Sequence, residues 1–192
     1  MNGVIDATED KVRFVRWVFV TFLAALAAGP VSAADAPDIR KSAEAFYAAY
    51  RKTQPVGVPA GKNLALYRPV VSSRLFTLLQ RTRAAEVEYG KKNPDSPPMV
   101  EGDLFTSLFE GASRYRVEDC QSGERTATCQ VELTYVDSRD RKAQRWRDKL
   151  FLVKEARGWR VNDIEYGGTW EFMHRGRLQE LLESVIKDSQ KP

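Results

Sequence analysis

Histidine is nearly missing from this chain. His174 is its sole histidine, and Cys120 and Cys129 are its two cysteines, in 192 residues. A zinc site of the usual kind draws its ligands mainly from those two residue types, so no metal centre is expected. The cysteines are not spaced as Cys-x-x-Cys, which argues against a dithiol redox pair. No Gly-x-Ser-x-Gly stretch accompanies His174, so it reads as a surface or helix-start residue and not as part of a hydrolase triad. The nearest approach to a phosphate loop is GVPAGK, Gly57 to Lys62. It is one residue short, holds Pro59 inside it, and carries Asn63 where a Ser or Thr would hold magnesium. No cofactor is expected, and no catalytic residue is assigned.

Long apolar runs are also scarce. The most extended, Trp17 to Ala28 (WVFVTFLAALAA), has 12 residues, well short of the ~20 that span a bilayer. Its surroundings suit a secretory leader. Lys11, Arg13 and Arg16 precede it, Gly29 and Pro30 break any helix, and Val31, Ser32 and Ala33 supply small side chains. The pattern predicts a signal peptide over 1–33, cut between Ala33 and Ala34, and a single domain over 34–192. No cysteine lies near the cut, so neither a lipoprotein anchor nor any other stable membrane anchor is expected in the mature chain. The predicted location is periplasmic or secreted. A net charge of +4 permits anionic partners without demanding them, and nucleic acid is not expected for an exported chain.

What is present is a core-forming pattern. Export places the two cysteines where disulfides persist. Their flanks, SRYRVEDC and CQVELTYV, alternate like strands, and the turn-rich QSGERTAT lies between. A bond across that hairpin, Cys120 to Cys129, is predicted, and its short loop stabilises by roughly 2–3 kcal/mol on the chain-entropy estimate.

Elsewhere the period separates helix from strand. Pro37 suits a helix start, and Ile39, Ala43, Phe46, Tyr47 and Tyr50 then share one face. A short turn is predicted at Ala65 to Val70. Ser72 or Ser73 can cap a helix whose stripe includes Leu75, Leu78, Leu79 and Thr82. The prolines of Asn93 to Pro98 mark a loop, and Asp103 can cap a helical turn through Leu104 to Phe109. After Gly111 the period changes to two. Strands are predicted around Tyr115–Val117, Cys129–Tyr135, Arg147–Lys154 and Trp159–Tyr166, with a charged connection over Asp137–Gln144. A final helix carries Leu178, Leu181, Leu182 and Val185. Helices, then an antiparallel meander, then a helix is the α+β class.

Three segments in this order, AFYAAY (Ala45 to Tyr50), EGDLFTSLFEG (Glu101 to Gly111) and GWRVNDIEY (Gly158 to Tyr166), resemble a family of exported bacterial proteins known as a domain of unknown function. That family is similar in shape to the nuclear-transport-factor-2-like cone folds. The resemblance covers roughly Pro37 to Leu182. It implies N-terminal helices packed in a curved antiparallel sheet of about four strands, a C-terminal helix, and a pocket between them. It implies no particular activity.

The last of those segments breaks strand periodicity, because Ile164 follows Val161 by three residues. A β-bulge near Asn162 and Asp163 would restore a common inward face and bend the strand.

The candidate ligand-binding residues are Tyr47, Tyr50, Asp103, Asp163 and Tyr166. Isomerase or lyase chemistry would need a carboxyl raised by an apolar pocket, beside a tyrosine donor. The bland alternatives are a helix cap for Asp103 and a bulge position for Asp163. Arg141, Arg145, Trp146 and Arg147 form a candidate interaction patch, since tryptophan among arginines is typical of interface hot spots, and the bland alternative for them is a solvated hairpin. Three functions follow as expectations. The first is a non-enzymatic periplasmic binding or interaction domain with an unknown protein or small ligand of the envelope. The others are a small-molecule isomerase or lyase using a pocket carboxylate, and an immunity or inhibitor protein against an envelope toxin. An interior filled with apolar side chains favours the first, and an open cavity with Asp103 or Asp163 turned inward favours the second.

Overall fold

The computed structural model describes residues 35–191 apart from 138, 140, 141 and 172. The predicted leader, its cut between Ala33 and Ala34, and Arg141 lie outside the described residues. The elements are α1 (Asp35–Thr53), α2 (Gly61–Tyr67), α3 (Ser73–Lys92), β1 (Arg114–Ser122), β2 (Thr126–Val136), β3 (Ala143–Glu155), β4 (Gly158–Glu165) and α4 (Leu178–Asp188). The fold is α+β. The four strands pair in chain order as an antiparallel meander.

α1 buries the predicted face, with Ile39, Ala43, Phe46 and Tyr47 at 0% exposure. It touches β1 at one edge of the sheet and β4 at the other, so the sheet curls around it. The Ser72 hydroxyl accepts the Leu75 N–H at 3.0 Å and starts α3. α3 packs on α4, and Arg74 reaches from one to Gln179 and Glu183 on the other.

Three sequence expectations are corrected. The turn predicted at Ala65 to Val70 is the end of a short helix, α2, which begins at Gly61. β3 starts at Ala143, four residues before the predicted Arg147, because its alternation continues through Trp146. Asp103 to Phe109 forms no helical turn. Residues 102–108 are a buried irregular loop between α3 and β1, and Leu104, Phe105 and Leu108 point into the core.

The predicted bulge is present. Asp163 pairs with Phe151 and Val161 with Leu152, which leaves Asn162 without a partner across the ladder. Val161 and Ile164 are both 0% exposed. The extra residue therefore keeps both apolar side chains inward while the strand bends. Asn162 is held in place, accepting from the Ser72 hydroxyl at 2.7 Å through its side chain and from the Gln179 amide at 2.5 Å through its carbonyl.

Cys120 and Cys129 face each other across β1 and β2 and are bonded as a disulfide. No helix among the described residues is long and apolar enough to cross a membrane.

Candidate functional site

The concave side of the sheet is filled by protein. Phe105, from the irregular loop, meets Phe46 edge-on at 5.4 Å between ring centres and lies 4.7 Å from Tyr67. Around this plug sit carboxylates that the fold has taken out of water, and each holds a backbone segment.

Asp103 is 5% exposed. Its carboxylate accepts the Phe105 N–H at 2.8 Å, with Thr106 and the Tyr50 hydroxyl beside it. The Tyr50 oxygen in turn accepts the Ala112 N–H at 2.8 Å. Burial raises the Asp103 carboxyl to about 6, against the opposing pull of the Tyr50 and Phe105 hydrogen bonds. Gly111 closes this corner with φ +82°, and a Cβ there would lie 2.7 Å from both the Asp103 Oδ2 and the Tyr50 hydroxyl. Tyr166 donates to the Leu104 carbonyl at 2.7 Å, and His174 Nε2 lies 3.0 Å from the Asp103 carbonyl. Burial lowers the His174 pKa, so its Nε2–H donates from a neutral ring.

Tyr50, Asp103 and Tyr166 are thus brought together around one loop. Tyr47 lies beside them, fully buried and stacked on Tyr115 at 5.0 Å. Its hydroxyl has no hydrogen-bond partner among the described residues. Asp163 belongs elsewhere. Its Oδ1 accepts the N–H of Ile164 at 2.9 Å and of Gln179 at 3.0 Å, so it caps the start of α4 from outside the helix.

Sequence reading missed Asp148 as a core residue, although Trp146, Asp148, Leu150 and Leu152 alternate along β3. That period of two carried the signal. Asp148 is 1% exposed. It accepts from the Ser107 N–H (2.9 Å) and hydroxyl, the Trp146 indole (3.2 Å) and the Gly167 N–H (2.9 Å). Burial raises its pKa and these donors oppose the rise. Gly167 is glycine for space, since a Cβ there would collide with the Arg147 carbonyl. Glu86 makes the same kind of contact, accepting the Val100 N–H at 3.2 Å.

Within the predicted basic patch, the place of Trp146 is corrected. Trp146 is 7% exposed, turned inward to Asp148 and edge-on to Trp170. Arg147, on the opposite face, pairs with Glu118 at 2.7 Å and Glu132 at 3.7 Å. Arg145 is exposed. Alternation along the strand separates the tryptophan from the arginines that sequence proximity had grouped with it.

No family model matches this chain, and no curated protein matches it. The crystal structure of the intermembrane space region of the chloroplast protein ARC6 is similar to it at 13% identity, over 68% of this chain and 97% of that one, with a TM-score of 0.38. A likeness that distant decides neither fold nor function.

The clefts are at the surface. One of about 460 Å³ reaches Tyr50 and Asp103 from the side of Pro55 and Tyr135. Another, about 910 Å³, runs between α1 and β1. Among the described residues no group of three or more His, Cys, Asp or Glu could hold a metal ion.

Proposed function

We propose that this chain is a non-enzymatic binding or interaction domain that works outside the cytoplasm, with a cone-like fold of the nuclear-transport-factor-2 kind. The observation that carries the reading is the filled interior. Leu104 and Phe105, both 0% exposed, occupy the place where an enzyme of this shape would hold substrate. Asp103, Asp148 and Asp163 spend their oxygens on backbone N–H groups, as structural clamps do and general bases with free lone pairs do not. The location is supported by the Cys120–Cys129 bond, since such bonds persist in oxidising compartments, and by the leader pattern at 1–33.

Co-purification from the periplasm, with the chain tagged at its C-terminus, tests the binding reading. A stoichiometric partner is the expected result. N-terminal sequencing of the exported protein tests the compartment and should begin near Ala34. Full-length protein in the membrane fraction would overturn it.

One observation favours the isomerase or lyase reading. Asp103, raised to about 6, touches the Tyr50 hydroxyl behind a cleft. Partner capture that survives Asp103→Asn separates the two readings, because a catalytic carboxylate does not tolerate that change.

A further inference from the structure

A sheet of this kind has two edges, and only one is closed here. On β4 the Val161 N–H donates to the Val70 carbonyl at 3.0 Å, and the Val161 carbonyl accepts the Ser72 N–H at 2.8 Å. β1, at the other edge, pairs with β2 on one side and has α1 beside it on the other. Arg40 covers its far part, donating to the carbonyls of Val117 at 2.5 Å and Glu118 at 2.8 Å. Between Val117 and Cys120 the ladder with β2 shifts register before it resumes. Alternate residues of an antiparallel strand direct their N–H and C=O to the same side. Tyr115, two residues before Val117, therefore presents both groups to the open edge.

Along that edge lies the groove of about 910 Å³, lined by Arg40, Glu44, Arg51, Arg114, Tyr115 and Arg116, among others. From Arg40 to Arg51 the helix advances roughly 16 Å. Residues 113–117 of the strand cover about the same length. The groove thus has the dimensions of about five residues of extended chain. Its charge points to the occupant. Four guanidinium groups face one carboxylate, that of Glu44. Arg116 is shared with Glu118 at 2.9 Å and Glu132 at 3.2 Å, whereas Arg51 and Arg114 have no ion-pair or hydrogen-bond partner among the described residues.

We propose that this groove receives an extended, acidic segment of a partner protein, which adds to β1 as a fifth strand. The segment's backbone pairs with Tyr115. Its carboxylates meet Arg114 and Arg116 on the outer face of the strand and Arg40 and Arg51 along the helix. This rests on the binding-domain reading and gives that reading a site. A polyanion without amides would use the arginines but not the strand edge.

Fluorescence anisotropy on the purified exported chain tests it. The probe is a labelled octapeptide of alternating glutamate and valine. Its comparators are the same peptide with every amide N-methylated, and dextran sulfate as a competitor without amides. We expect the plain peptide to bind and to slow amide exchange at Tyr115, and the methylated peptide not to bind. Arg51→Ala with Arg114→Ala should weaken binding about tenfold at unchanged circular dichroism, both side chains being exposed. Arg51→Glu with Arg114→Glu should instead bind an octapeptide of alternating lysine and valine. Equal binding of the methylated peptide, or dextran sulfate displacing the probe while Tyr115 exchange is unaffected, would reduce the groove to a simple anion site and overturn the proposal. Absence of peptide binding would overturn it too. That last result would leave the broader binding-domain reading to stand or fall on co-purification.

Discussion

Ser107 gives both its backbone N–H, at 2.9 Å, and its hydroxyl to the carboxylate of Asp148, 41 residues away. The same carboxylate accepts the Gly167 N–H at 2.9 Å, so one side chain on β3 ties two irregular segments to the sheet. Replacing Asp148 by Ala would leave these buried donors without partners. At ~1–3 kcal/mol for each unsatisfied group, a loss of about 3 kcal/mol or more is expected. Asp148→Asn should cost less, because one acceptor remains. Urea denaturation measures both, and an Ala variant within about 0.5 kcal/mol of the parent would refute the clamp.

Tyr47 poses the opposite case. Its buried hydroxyl has no partner among the described residues, and an unpaired buried polar group costs ~1–3 kcal/mol. Tyr47→Phe should therefore leave stability unchanged or raise it by about 1 kcal/mol. A clear loss would mean that the hydroxyl has a partner in solution, as a ligand-binding role predicts.

The raised pKa of Asp103 fixes a direction for pH dependence. Its folded value of about 6 lies above the ordinary 3.8, so between those values the folded chain holds a proton that the unfolded chain has lost. Stability tied to this group is present below the ordinary value and is lost as pH rises through about 6. The parent measured against Asp103→Asn should lose roughly 2 kcal/mol between pH 4 and pH 7. Taking the difference removes most of the contributions from Asp148, Asp163 and Glu86, which share this sign, and from His174, which has the opposite one. A difference that stays flat over that range would show that the carboxylate is not buried as described.

The disulfide closes a short hairpin. Intact mass with and without reductant should differ by two hydrogens. Replacing Cys120 and Cys129 together by Ala should lower stability by roughly 2–3 kcal/mol in thermal or urea unfolding. Two free thiols in correctly exported protein would count against both the bond and the compartment inferred from it.

Periodicity carried most of the architecture. The helical face from Ile39 to Tyr50, the Ser72 cap, the meander and the bulge at Asn162 all follow from spacing that local geometry enforces. A period of two or of 3.6 says which side of an element is apolar. The cysteine pairing was legible because two short strands around a turn bring their ends together. Other features depend on contacts between distant segments. Residues 102–108 have no helical or strand period because their backbone is satisfied by side chains far away in sequence, Asp148 and Tyr166 among them. Asp163 caps a helix 16 residues downstream of it, a role that spacing within β4 could not reveal. Trp146 and Arg147 are neighbours in sequence yet lie on opposite faces of β3, so the tryptophan is not part of the arginines' surface. The open edge of β1 and its arginines from two elements exist only once α1 lies beside it. Local sequence sets which residues turn inward. The tertiary structure decides which of those inward groups meet, because a buried donor or acceptor must find a partner wherever the chain can supply one.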